Sequence, residues 1–312
     1  MTEPAIDLHR TIPAAPERVY RAWLAPDTIR RWLAPSIFTV DRVEVDERVG
    51  GRLSVWQRDG SGADVGGAEA EIVELSSPER IVLRWWFVGP DRATDPELET
   101  RLTVTFTGTA DGRTDLHLRH SRLDGLRARL PKVAGNVAAG WGAALDGLAA
   151  QAVLDDPVSR ELLDSAIPAR MAYTGLDGAP RVVPMGFWFN GREIVFCTVD
   201  IAPKVRALQA DPRLAVTIDT EGQPPHVLLL RGTARIEIVD GVPDEYIKAS
   251  GKLVDEANMP AFEAQVRAMY ARMARIVLAP SWAKVLDFET RAPDFVMKLA
   301  AEKSQQAGVN AG

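Results

Sequence analysis

The longest stretch with almost no charge, Val133 to Leu154, constrains this chain more than any other, because it is either a membrane span or a core helix. It is rich in Ala and Gly and carries one acid, Asp146. A bilayer span needs about 20 residues that are apolar all round. Here the large apolar residues Val133, Val137, Trp141, Leu145 and Leu148 recur every three or four positions, with Asn136 and Asp146 elsewhere. That is a stripe along one side of a helix. The spacing predicts an amphipathic helix packed on a sheet, and no membrane.

The rest of the composition fits that reading. Hydrophobic residues are 46% and charged residues 26% of the 312, which is ordinary for a folded chain and argues against extensive disorder. At about 150 residues per domain the length suggests two domains. The formal net charge of −6 provides no basic field for nucleic acid or an anionic membrane. A single cysteine, Cys197, excludes an intramolecular disulfide and most Cys-based metal sites. The start, MTEPAIDLHR, lacks the basic and then apolar pattern of a signal peptide, so a cytoplasmic protein is expected.

Tryptophan usage divides the chain: six of the eight lie before residue 150. Asp155-Asp156-Pro157 is a helix-start signal in a plausible linker. The boundary is therefore placed to give domains 1–154 and 155–300, with residues 301–312 as a flexible tail. In the first half a short strand at Ile6–Thr11 precedes helices opening at Pro16 and Pro26. Six strand-like runs follow: Phe38–Val45, Arg52–Gln57, Ala68–Leu75, Arg80–Val88, Thr100–Thr107 and Thr114–His120. Gly50-Gly51, Asp59-Gly60 and Asp111-Gly112 mark hairpin turns between some of them. A helix from about Arg127 to Ala150 closes the half. This order predicts an antiparallel sheet around a long helix.

The same residues carry a resemblance. Val19–Leu24, Ile29–Trp32, Val49-Gly50-Gly51-Arg52-Leu53 and Ala138–Asp146 resemble the START-like (SRPBCC) superfamily, in the branch similar to the heat-shock-protein-90 ATPase activator. The resemblance spans roughly residues 5–150. It implies a helix-grip fold with a deep apolar cavity, and a small apolar molecule as ligand. It implies no fixed chemistry. Trp56, Trp85, His120 and Trp141 are the expected cavity residues, although each is also an ordinary core residue by type.

In the second half, a helix at Val158–Ser165 precedes strands at Ala169–Gly175, Arg181–Phe189 and Ile194–Val199. Asp177-Gly178 and Asn190-Gly191 are the hairpin signals between them. After Ala202-Pro203 a short helix reaches Ala210. Strands at Leu214–Asp219 and His226–Val239 come next, then helices from Pro243 and Pro260, then terminal strands at Ala283–Glu289 and Phe295–Lys298. The whole is α+β, a helix-grip followed by a small antiparallel barrel. Pro203 at a first helical position leaves the N–H groups of Lys204 and Val205 free at the positive end of the helix. With the Lys204 ammonium and the Thr198 hydroxyl nearby, that is a site suited to phosphate; a surface lysine on an exposed helix explains the local pattern equally well.

A wider pattern bears on the choice. Arg170–Tyr173, Arg181–Met185, Val195–Thr198, Lys204–Leu208, Asp211–Val216 and Leu230–Ala234 resemble the pyridoxamine 5′-phosphate oxidase-like, flavin-binding split barrel, over about residues 157–300. By that resemblance Val183, Pro184, Met185 and Gly186 line the flavin ring with backbone groups. Thr198 and Lys204 hold the ribityl phosphate, and His226 contacts the ring or its tail. The implied cofactor is FMN, or alternatively an 8-hydroxy-5-deazaflavin coenzyme, in a homodimer formed through the barrel. The implied activity is an oxidoreductase. One motif is missing: pyridoxamine-phosphate oxidases end in Arg-x-His, and here no histidine follows His226. The other reading is a non-catalytic ligand-binding or stress-response protein whose barrel no longer binds flavin. Cys197, in an apolar strand, reads as a core residue. His117 and His120 point to opposite faces of their strand, so they share no metal.

Overall fold

The computed structural model describes residues 5–33, 38–291, 296–299 and 302–303. It falls into two compact units, residues 1–152 and 153–312.

The first unit opens with β1 (Ile6–Ile12), α1 (Pro16–Ala22) and α2 (Pro26–Trp32). Proline opens both helices, where its missing N–H costs nothing. The strands are β2 (Thr39–Val45), β3 (Arg52–Arg58), β4 (Asp64–Ser76), β5 (Arg80–Val88), β6 (Thr100–Gly108) and β7 (Thr114–Ser121). They form one antiparallel sheet in the order β1-β7-β6-β5-β4-β3-β2. Burial alternates along β6 and β7, so one face is packed and the other is wet. The closing helix is two helices, α3 (Asp124–Arg129) and α4 (Pro131–Leu154). The break has a local cause: Leu130 precedes a proline, which pushes it out of the α region to φ −130°, ψ 62°. By length and composition α4 is long and apolar enough to cross a membrane, but half of its most apolar window is buried. Val137, Trp141, Leu145 and Leu148 lie in the core against the sheet.

The second unit contains α5 (Pro157–Asp164), β8 (Ala169–Thr174), β9 (Pro180–Met185), β10 (Trp188–Phe189), β11 (Ile194–Val199), α6 (Pro203–Ala210), β12 (Arg213–Asp219), β13 (His226–Asp240), α7 (Asp244–Ser250), α8 (Met259–Met269) and β14 (Arg272–Asp287). Asp156 caps α5 by accepting from the Val158 N–H at 3.0 Å. The sheet order is β10-β11-β14-β13-β12-β8-β9. Its two edge strands, β9 and β10, are consecutive in sequence and separated only by Gly186 and Phe187. Two residues span less than about 11 Å, so the edges are drawn together and the sheet curls into a barrel around Phe196, Leu230 and Ile276.

Three sequence expectations change here. The single strand expected over Arg181–Phe189 is two strands, because at Gly186 the chain leaves the β8 partner and joins β11. The strand expected from Ala283 begins at Arg272 and passes through Pro280, which sits opposite Gly232 at a register shift in β13. A bulge of that kind accommodates a residue that cannot donate to the ladder. In the terminal strand expected over Phe295–Lys298, residues 296–299 are helical and Phe295 lies outside the described residues. The expected tail, 301–312, also lies outside them except for residues 302 and 303, which are helical.

Candidate functional site

The first candidate is a cavity of about 360 Å³ between α4 and the sheet of the first unit. Trp85, Phe87 and Val55 face it from the sheet, and Val137, Trp141 and Ala144 from α4. Trp85 and Trp141 stand 5.4 Å apart at 59°, the tilted arrangement aromatic pairs favour. Behind them runs a buried chain of hydrogen bonds. The Trp141 Nε1–H donates to His120 Nδ1 at 2.9 Å. His120 Nε2 lies 2.7 Å from Thr100 Oγ1, and the Thr100 hydroxyl donates to the Trp85 carbonyl at 2.8 Å. With Nδ1 accepting, the ring is the neutral Nε2–H tautomer, and Thr100 accepts from it. Burial pulls the His120 pKa down to about 3, so it stays neutral.

The four residues expected in the cavity therefore separate. Trp85 and Trp141 are on its wall. His120 is one layer behind, fully buried, and fixes Trp141. Trp56 is not in the cavity: Val55 and Gln57 face inward, so strand alternation turns Trp56 to the other face. There the guanidiniums of Arg42 and Arg92 stand 4.8 Å and 4.4 Å from its ring centroid. Arg92 also pairs with Glu69 and donates to the carbonyls of Val55 (2.8 Å) and Ala68 (2.9 Å), so this cluster is structural. Sequence reading missed Lys132, Asn136 and Gly140, which line the cavity with Ala144. Their i, i+4 spacing, one position before the Val133 stripe, was the available signal. His117 faces away from His120, stacks on His9 at 4.2 Å and lies 2.9 Å from Asp7. Among the described residues no cluster of His, Cys, Asp or Glu is arranged to hold a metal ion.

The second candidate surrounds the start of α6. Val205 and Ala202 pack on Ala274, anchoring the first turn to the barrel. Lys204 is half-buried, and among the described residues its ammonium has no ion pair. Asp200, four residues earlier, is committed to Arg272 at 2.6 Å. Of the two N–H groups expected to be free, that of Val205 donates to the Ala202 carbonyl at 2.9 Å, as the first turn tightens. β9 is an edge strand, paired only with β8. That position explains Pro184, since proline is tolerated where the N–H side faces away from the ladder. Val183 and Met185 pack on the barrel core, while Pro184 and Gly186 are exposed. Cys197, next to Thr198, is inert: burial pushes its thiol up to about 12.

His226 is elsewhere. Thr198 shares a rung with Ala274 and Ile238, and His226 lies twelve residues from Ile238 along β13, about 40 Å of strand. Its ring sits 3.5 Å from Asp287 and 3.3 Å from Glu289, with Glu161 at 4.0 Å. Burial raises the Asp287 pKa, but hydrogen bonds from Thr290, the Glu289 N–H and Arg291 outweigh it and hold the carboxyl well below its usual range.

Comparison with known proteins assigns both units. The profile of the Activator of Hsp90 ATPase homolog 1-like protein family matches residues 13–152, and that of the Pyridoxamine 5′-phosphate oxidase family matches residues 156–286. The chain is a fusion of these two families. Among solved structures, protein CV1439 from Chromobacterium violaceum is 31% identical over 47% of this chain and 95% of its own, with a TM-score of 0.39. Protein NE0264 from Nitrosomonas europaea is 19% identical over 47% and 93%, with a TM-score of 0.40. PFC0360w, an HSP90 activator from Plasmodium falciparum, is 24% identical over 38% and 71%, with a TM-score of 0.29. A search of curated proteins returned no match. The Hsp90-activator-like domain fits ligand binding, and the oxidase-like domain fits a flavin-binding oxidoreductase.

Proposed function

We propose that the chain is an FMN-dependent oxidoreductase whose first domain holds a small apolar molecule. The observation that carries the reading is Lys204: a half-buried cation with no partner among the described residues, at the start of a helix, with the nearby acid Asp200 neutralised by Arg272. A phosphate at α6 meets the Lys204 ammonium and the helix's positive end, and the Thr198 hydroxyl is available from the preceding strand. The open edge of β9, from Val183 to Gly186, offers unpaired backbone groups to a flat polar ring system. Val182 and Ile201, 65% and 79% exposed, flank these elements and supply apolar surface for a second copy of the barrel. The flavin, when bound, supplies hydride transfer; the protein binds, orients and shields.

A charge-assisted contact to phosphate is worth about 1.5–3 kcal/mol, or roughly ten- to a hundredfold in affinity. Lys204→Ala is therefore expected to weaken FMN binding by that factor, measured by quenching of flavin fluorescence. Arg206→Ala, exposed and two positions along the helix, is expected to change it little. Equal affinities for wild type and Lys204→Ala remove the phosphate assignment. The same titration with 8-hydroxy-5-deazaflavin decides between the two coenzymes. The second reading is binding without turnover. FMN that binds but is not reduced by nicotinamide nucleotides in the presence of small apolar substrates supports that second reading.

A further inference from the structure

We propose that the cavity of the first domain takes an aromatic carboxylate, with its ring system against the wall formed by Trp85 and Trp141 and its anion at Lys132. The inference rests on the reading of that domain as a ligand holder and adds the ligand's charge and shape.

The face that α4 turns to the cavity is graded along its length. Two adjacent rows of i, i+4 residues line the space: Lys132, Asn136, Gly140 and Ala144 in one, Val133, Val137 and Trp141 in the other. Among the described residues of the lining Lys132 is the only charged one, and none is a carboxylate. Among the described residues the Lys132 ammonium has no ion pair. Asn136, one turn on, is anchored by donating to the Lys132 carbonyl at 3.0 Å. Lys132 also lies in the first turn of α4, where the helix dipole favours negative charge and no acidic side chain is present to take it. One end of the cavity is therefore cationic and solvated. The rest is apolar.

The apolar end selects for shape. Trp141 is held by His120, and Thr100 links His120 to the backbone of Trp85, so the aromatic wall is fixed before any ligand arrives. Phe87 stands 6.1 Å from Trp85 at 70° and 5.9 Å from His120. Rigid rings at these angles fit a planar ring system better than a flexible chain, which loses rotamer freedom on entry. Space for the rings comes from small residues. A Cβ built on Gly140 meets nothing within 4 Å.

The test uses the full chain, 2-naphthylacetate, its neutral analogue 2-naphthaleneethanol, and dodecanoate, each titrated by calorimetry. Naphthylacetate is expected to bind about tenfold tighter than the alcohol, the size of one charge-assisted contact. Lys132→Met is expected to bring the two together. Gly140→Leu, which fills the cavity and improves helix propensity, is expected to abolish both. Equal binding of acid and alcohol to wild type, with Lys132→Met unchanged, overturns the anion site while leaving an apolar cavity. Tighter binding of dodecanoate than of naphthylacetate overturns the preference for rings. If none of the three compounds binds, or Gly140→Leu binds them as wild type does, the ligand-holder reading fails along with the proposal.

Discussion

His120 ties the first sheet to α4, because its two ring nitrogens meet Thr100 and Trp141. Its place in a strand beside Leu116 and Leu118 indicated an inward ring, but not that Trp141 and Thr100 would take both nitrogens. Pairing across the sheet brings Trp85, Thr100, Leu102 and His120 to one face, and α4 adds Trp141; no local pattern contains that meeting. The consequence is testable by pH. The folded-state pKa is about 3 and the unfolded value about 6.5, so below 6.5 the unfolded chain takes up a proton that the folded chain refuses. The stability this residue contributes at neutral pH is thus lost as pH falls from 6.5 towards 3, at about 1.4 kcal/mol per unit. His120→Gln is expected to be about 1–3 kcal/mol less stable at pH 7.5, because the Trp141 and Thr100 partners are disturbed. That gap is expected to close by pH 5. Urea unfolding followed by tryptophan emission measures both; a gap of the same size at both pH values contradicts a neutral buried imidazole.

At the scale of elements, legibility followed how local the cause was. Strand β5 was read from its own residues because Arg80–Val88 is a β-rich run bounded by turns. The start of β14 was not, because Pro280 looks like a terminator unless Gly232 is known to face it across a bulge. The proline-opened turn before α6 was local and legible, whereas the edge position of β9 depends on strand order and was not. The turn from β2 to β3 separates two glycine roles that sequence merges. Gly50 has φ +79° and open space around its Cβ position, so Gly50→Ala is expected to cost about 1–2 kcal/mol of backbone strain. At Gly51 a Cβ would stand 2.0 Å from the Asp46 carbonyl and 2.8 Å from that of Arg48, both backbone atoms that cannot swing aside. Gly51→Ala is therefore expected to cost more than about 3 kcal/mol or to block folding. Denaturant midpoints of the two variants give the ranking, and the reverse order would show that this turn is not formed as described.

The whole molecule is two cores in one chain, and α4 sets where they can be cut. The last residue of α4 fully packed in the first core is Leu148, whereas Val153 and Leu154 are buried among the side chains of the second. A unit of about 150 residues buries enough surface to fold alone. We therefore expect residues 1–152 and 153–312, expressed separately, each to unfold in one cooperative transition. Starting the second fragment at residue 155 removes Val153 and Leu154, each worth about 1.5–3 kcal/mol when fully buried. The fragment 155–312 is then expected to unfold at a clearly lower denaturant concentration than 153–312, with FMN raising the midpoint of both. Identical midpoints for the two starts would mean that the end of α4 adds nothing to the second core. Absence of a cooperative transition in residues 1–152 would mean that the first sheet and α4 depend on the rest of the chain, and the cavity would then have to be studied only in the intact protein.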